Sequence, residues 1–129
     1  MSGNLASETS VMLVDDDYFI REVVSTALRT VAGVSVQVFG SGSDAVAAAR
    51  AARPDIIVLD YTLPGTDGLA LARELRGVLS AMPPLIFLTA REDAGLIGRL
   101  RSEGAAATIA KPFDPVTIAQ DILRLGVRS

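Results

Sequence analysis

The sequence predicts an α/β protein, a doubly wound parallel sheet of five strands with helices on both faces. Three observations carry that expectation. Five short apolar runs recur, at residues 11–14, 34–39, 56–59, 85–88 and 106–110. The segments between and after them repeat apolar residues three and four apart, the spacing of one helix face. Glycines, prolines and capping residues fall where one pattern gives way to the other.

The first run, Val11-Met12-Leu13-Val14, has no polar alternation, as expected of a strand covered on both faces. Ile20, Val23, Val24, Ala27, Leu28 and Val31 form the first helical stripe, and Gly33 follows it. The run at 34–39 is the second strand. Ala45, Val46, Ala49 and Ala52 mark the second helix, with Ser43 or Asp44 as its cap. The run at 56–59 is the third strand. Leu71, Ala72, Leu75, Val78 and Leu79 mark the third helix, capped by Asp67 and stopped by Pro83-Pro84. After the fourth strand come Leu96, Ile97 and Leu100, closed by Gly104. The last run is rich in alanine and is the weakest strand signal. Val116, Ala119, Ile122 and Leu123 mark the fifth helix, with Asp114 as cap and Pro115 in its first turn. Strand–helix–strand crossovers of one hand put helices on both faces of the sheet.

Composition narrows the chemistry. The 129 residues fit one domain, expected over residues 10–127 behind a loose leader of residues 1–9. There is no cysteine, hence no disulfide framework and no thiolate metal site. There is no histidine, which removes Ser-His catalysis, a histidine zinc site and a phosphohistidine donor role. A net charge of −3 argues against direct nucleic-acid binding, which usually shows a basic patch. No apolar run approaches the roughly 20 residues that span a bilayer, and the first ten residues lack the basic and apolar regions of a signal peptide. A cytoplasmic protein without membrane contact is expected.

Ligands of open α/β sheets bind beyond the carboxyl ends of the strands. There the first run is followed by Asp15, Asp16 and Asp17, the third by Asp60, the fourth by Thr89 and Ala90, and the fifth by Lys111 and Pro112. The sheet gathers residues scattered over about a hundred positions onto one edge. Taken singly, the three acids read as helix caps and first-turn residues, and Lys111 as a solvated charge. Taken together they read as a site. Like charges 4 Å apart repel by roughly 4 kcal/mol at an effective dielectric near 20, so the carboxylates either protonate or hold a cation. An oxygen-only donor set favours Mg2+, with Mn2+ or Ca2+ as alternatives. A carboxylate held by a metal ion and Lys111, with the Thr89 hydroxyl nearby, suits phosphoryl transfer onto that carboxylate.

Across nearly its whole length the chain resembles the receiver domain of bacterial two-component response regulators. The resemblance rests on Val14-Asp15-Asp16-Asp17, Leu59-Asp60, Leu63-Pro64-Gly65-Thr66-Asp67-Gly68, Leu88-Thr89-Ala90 and Lys111-Pro112-Phe113. It implies a flavodoxin-like (βα)5 fold with strand order 2-1-3-4-5. It further implies that Asp60 is the phosphoacceptor and that Asp15 and Asp16 position magnesium. The backbone carbonyl of Thr62 would complete the coordination, Thr89 is the switch hydroxyl, and Lys111 pairs with the phosphoryl group. The implied donor is a phosphohistidine on a sensor histidine kinase or a histidine phosphotransfer protein. The implied output is a change on the face of the fourth helix, fifth strand and fifth helix, met by a downstream protein or a second copy. Such a domain takes part in its own phosphorylation and slow dephosphorylation and is not a turnover enzyme. No output domain is expected within this chain.

The sequence departs from the family pattern in two places. Thr108 stands three residues before the lysine, where the family usually has an aromatic ring that moves with the switch hydroxyl. Leu63 stands where methionine is common. Two other readings share part of the pattern. A haloacid-dehalogenase-type phosphatase also has an aspartate nucleophile after a strand, but requires a second aspartate where Thr62 stands. A degenerate receiver acting only as a binding module would have lost some of the matched positions, and all are present.

Overall fold

The computed structural model describes residues 8–91 and 93–127. Among them, five strands of one sheet alternate with five helices: β1 (Thr9–Val14), α1 (Tyr18–Arg29), β2 (Val34–Phe39), α2 (Gly42–Ala51), β3 (Ile56–Asp60), α3 (Gly68–Val78), β4 (Leu85–Thr89), α4 (Ala94–Ser102), β5 (Ala107–Ala110) and α5 (Ile118–Leu125). All sheet pairings are parallel, in the order β2-β1-β3-β4-β5. This is the predicted topology. Between β3 and α3 the chain also makes a small antiparallel ribbon, Thr62–Leu63 against Thr66–Asp67. Gly65 turns it with φ of +72°, a conformation that L side chains rarely adopt.

Successive strand residues face opposite sides of the sheet, which divides the core in two. On one side Met12, Val14, Ile57, Leu59 and Phe87 pack with Ala45, Leu71, Leu75, Leu96 and Leu100 of α2, α3 and α4. On the other, Val11, Leu13, Val58, Ile86 and Leu88 pack with Val24 and Leu28 of α1 and Ile118 and Ile122 of α5. The central strands β3 and β4 are buried along their whole length, which explains why their sequences read as unbroken apolar runs.

The differences from expectation lie at element ends. β1 begins at Thr9, whose amide donates to the Gly33 carbonyl at 2.7 Å. Residues 1–7 of the expected leader lie outside the described residues. The cap of α2 is Ser41, whose hydroxyl accepts from the Asp44 amide, so Ser43 and Asp44 sit in the first turn. The start of α5 is displaced. Asp114 accepts from the Val116 amide at 2.8 Å and closes a turn ahead of the helix, which leaves Val116 85% exposed rather than in the buried stripe. Asp67 caps α3 as expected, accepting from the Ala70 amide at 2.8 Å. Asp67→Ala should lower stability by about 1 kcal/mol, within the 0.5–2 kcal/mol typical of a lost cap. Urea unfolding should show a lower midpoint at unchanged slope.

Candidate functional site

The strands bring the predicted residues to one edge. Asp60 ends β3 and Thr89 ends β4. Asp15 follows β1, and its amide extends the β1–β2 ladder by donating to the Phe39 carbonyl at 3.1 Å. Lys111 follows β5, its amide bonded to the Thr89 carbonyl at 2.9 Å. The Lys111–Pro112 peptide is cis.

The three adjacent aspartates have three different placements. Asp15 is wholly buried. Asp16 is exposed. Asp17 caps α1, accepting from the Phe19 amide at 2.8 Å. Asp15, Asp16 and Asp60 each offer one oxygen within 4.8 Å of the others. Asp15 is held through both carboxylate oxygens: Oδ1 accepts from the Asp17 amide at 2.9 Å and Oδ2 from Lys111 Nζ at 2.8 Å. Lys111 also reaches Asp60 Oδ1 at 3.3 Å. It therefore lies between two carboxylates and is nearer to Asp15. Asp60 Oδ1 further accepts from the Thr62 amide at 3.2 Å.

The charges do not balance inside this pocket. Burial raises the Asp60 carboxyl, and the Asp15 charge raises it further. Lys111 and the Thr62 amide only partly offset these effects, and the pKa stands at about 6 against an ordinary 3.8. Burial alone would lower the Lys111 ammonium, but its bond to Asp15 and the charges of Asp15 and Asp60 outweigh that and raise it. One ammonium thus faces two buried carboxylates with a third beside them. A compact cluster of hard oxygens with surplus negative charge fits a small divalent cation.

Thr89 is buried, and its Oγ accepts from the Arg91 amide at 3.0 Å. Thr108 is partly buried on β5, in register with Phe87 of β4. Sequence reasoning does not single out Arg21. Its guanidinium donates to the Asp15 carbonyl at 2.8 Å, and the only hint is a basic residue on the helix that follows the acidic triplet. Gly68, part of the family-like motif, lets α3 close onto the end of β3. A Cβ there would stand 2.5 Å from the Asp60 carbonyl oxygen and 2.9 Å from the Phe87 ring.

A sequence profile of the response regulator receiver domain matches residues 11–123. The chain belongs to the response-regulator receiver family. The receiver is similar to the transcriptional regulatory protein CseB of Streptomyces coelicolor, with 36% identity over 118 residues that cover 92% of this chain and 49% of CseB. It is likewise similar to the DNA-binding response regulator MtrA of Mycobacterium tuberculosis, with 36% identity over 105 residues covering 81% of this chain and 45% of MtrA. The chain thus spans about half the length of these curated relatives. Among solved structures it resembles the chemotaxis protein CheY4 of Vibrio cholerae, with a TM-score of 0.81 and 29% identity over 92% of this chain and 98% of that one. The non-phosphorylated HemR receiver domain of Leptospira biflexa gives a TM-score of 0.83 and 28% identity over 95% and 97%. Receivers of this family act in two-component signalling, bind magnesium through acidic residues and partner with histidine kinases. The family match disfavours the phosphatase reading. Among the described residues no helix of this receiver is long and apolar enough to cross a membrane.

Proposed function

We propose that this receiver accepts a phosphoryl group on Asp60 from a phosphohistidine of a sensor histidine kinase or a histidine phosphotransfer protein, in the cytoplasm. The observation that carries the reading is the cluster of Asp15, Asp16 and Asp60 with Lys111 between the two buried carboxylates. Asp15, Asp16, Asp60 and the Thr62 carbonyl would hold Mg2+, or Mn2+ in its place. Bound there, the ion would offset charge on the phosphoryl oxygens. The Asp60 carboxylate oxygen attacks phosphorus, the phosphorus–nitrogen bond breaks, and the imidazole leaves with its electron pair and takes a proton. Lys111 then turns from Asp60 to a phosphoryl oxygen, and Thr89 exchanges its contact with the Arg91 amide for one with the new group. Positioning and charge do most of the catalysis in such a transfer.

The domain would occupy residues 10–127. Its output is a two-state shift of α4, β5 and α5, read by a downstream protein or a second copy of the domain. Thr108 carries no ring, so the aromatic gate usual at this position in the family is missing. The test is incubation with an acyl phosphate such as acetyl phosphate. The expected product is hydroxylamine-labile, forms only with Mg2+ or Mn2+, and disappears when EDTA removes the metal. A hydroxylamine-resistant label, or one indifferent to EDTA, would count against the reading.

A further inference from the structure

We propose that Arg21 is a positioning residue for the metal-binding turn, and that Gly40 leaves the space its guanidinium occupies. The proposal rests on the magnesium-dependent reading above. Arg21 lies at the end of the first turn of α1 and is half-buried. Beside three aspartates, a cation would ordinarily pair with a carboxylate. Yet none of the ion pairs among the described residues involves Arg21. Its Nη1 instead donates to the backbone carbonyl of Asp15 at 2.8 Å.

That bond completes the restraint of one residue. The Asp15 amide donates to Phe39, Oδ1 accepts from Asp17, and Oδ2 accepts from Lys111. The carbonyl is the remaining polar group of Asp15, and Arg21 takes it. The guanidinium lies between the Tyr18 ring and the backbone of Gly40. The Tyr18 ring lies 5.6 Å from Cζ, within reach of a cation–π contact. A Cβ built on Gly40, in the turn between β2 and α2, would stand 3.0 Å from Nη1 and 3.4 Å from Cζ. A methyl group at residue 40 would therefore shift the guanidinium by a few tenths of an ångström, and a larger side chain by more. Arg21 thus ties α1 to the acidic turn, at the residue that would hold the ion.

Charge and positioning make opposite predictions here. As a mere cation, Arg21 repels Mg2+, and its removal tightens metal binding. As a positioning residue it holds the Asp15 peptide, and its removal weakens metal binding. The experiment is calorimetric titration of the full chain with MgCl2 at fixed ionic strength, for wild type, Arg21→Ala, Arg21→Lys, Gly40→Ala and the double variant Arg21→Ala/Gly40→Ala. Losing a charge-assisted hydrogen bond should weaken binding by at least about fivefold in Arg21→Ala. Arg21→Lys, which keeps one donor and the charge, should recover part of the loss. Gly40→Ala should weaken binding with Arg21 still present, and should add nothing once Arg21 is alanine. In metal-free protein, amide exchange at Asp17 should quicken in Arg21→Ala.

Unchanged or tighter binding in Arg21→Ala overturns the proposal, and so does a Gly40→Ala effect that persists undiminished in the double variant. Should Arg21→Ala fail to fold, unchanged affinity in both Arg21→Lys and Gly40→Ala overturns it instead. Wild type that binds no Mg2+ and takes up no label refutes the proposed function. Wild type that does both beside an indistinguishable Arg21→Ala refutes only the role of Arg21.

Discussion

Asp60→Asn should take up no phosphoryl group from acetyl phosphate, and in metal-free buffer at pH 7 it should be more stable than the wild type. The first half follows from losing the nucleophilic oxygen. The second follows from the cost of ionising Asp60 where it stands. Burial, then the neighbouring Asp15 charge, lift its folded pKa from 3.8 to about 6. The folded state therefore binds more protons than the unfolded state between these values, and stability falls as pH rises through that window. Above it, a shift of this size corresponds to at most about 3 kcal/mol of lost stability. Asparagine keeps the shape and the acceptor for the Thr62 amide without the charge. The check is urea unfolding of both proteins with EDTA from pH 4 to pH 8. The wild-type midpoint should decline between pH 4 and 6, and the Asp60→Asn midpoint should stay flatter and end higher. Equal midpoints at pH 7 would mean that the buried charge is neutralised by something other than a metal ion.

Lys111→Met should have the opposite sign. Lys111 is the cation that touches both buried carboxylates, at 2.8 Å and 3.3 Å, with a side chain 18% exposed. Without it Asp15 and Asp60 face one another uncompensated. Removing one partner of a buried pair typically costs about 3–5 kcal/mol, and this loss should shrink as pH is lowered and Asp60 protonates. Added Mg2+ should stabilise Lys111→Met more than it stabilises the wild type, because the ion replaces part of the missing charge. Labelling by acetyl phosphate should still fall, on the order of a hundredfold, as expected when a group that stabilises transition-state charge is lost. Thermal unfolding with and without Mg2+ measures the first effect and the initial rate of label uptake the second.

Much of this was legible in the amino acids, for physical reasons. A parallel sheet covered on both faces needs unbroken apolar runs, so β1, β3 and β4 announce themselves, and the residue after each run is a candidate by topology alone. Asp67 is legible as a cap because a short acceptor before a helix has few other uses. Other features escape sequence reasoning because they depend on geometry that spacing does not encode. Asp15, Asp16 and Asp17 are chemically alike and adjacent, and only the turn of the backbone makes one buried, one exposed and one a cap. Ser41 rather than Ser43 caps α2 because the helix admits Gly42 in its first turn. The ribbon at Thr62–Leu63 and Thr66–Asp67 is too short to show any period. Asp114 is a sound cap signal that bonds into a turn instead, which delays α5 to Ile118. Long side chains are the least legible. The sequence places Lys111 near Asp60 but not against Asp15, and it says nothing of Arg21 turning inward to a carbonyl.

Asp15, Asp60, Thr89 and Lys111 are contributed from the ends of four strands and joined only by contacts of long sequence separation. Such contacts form late, after the chain has closed its large loops. A chain whose β5 is not docked would carry Asp60 without Lys111 beside it. On the proposed function, phosphorylation of Asp60 would therefore require that all four strand ends be docked.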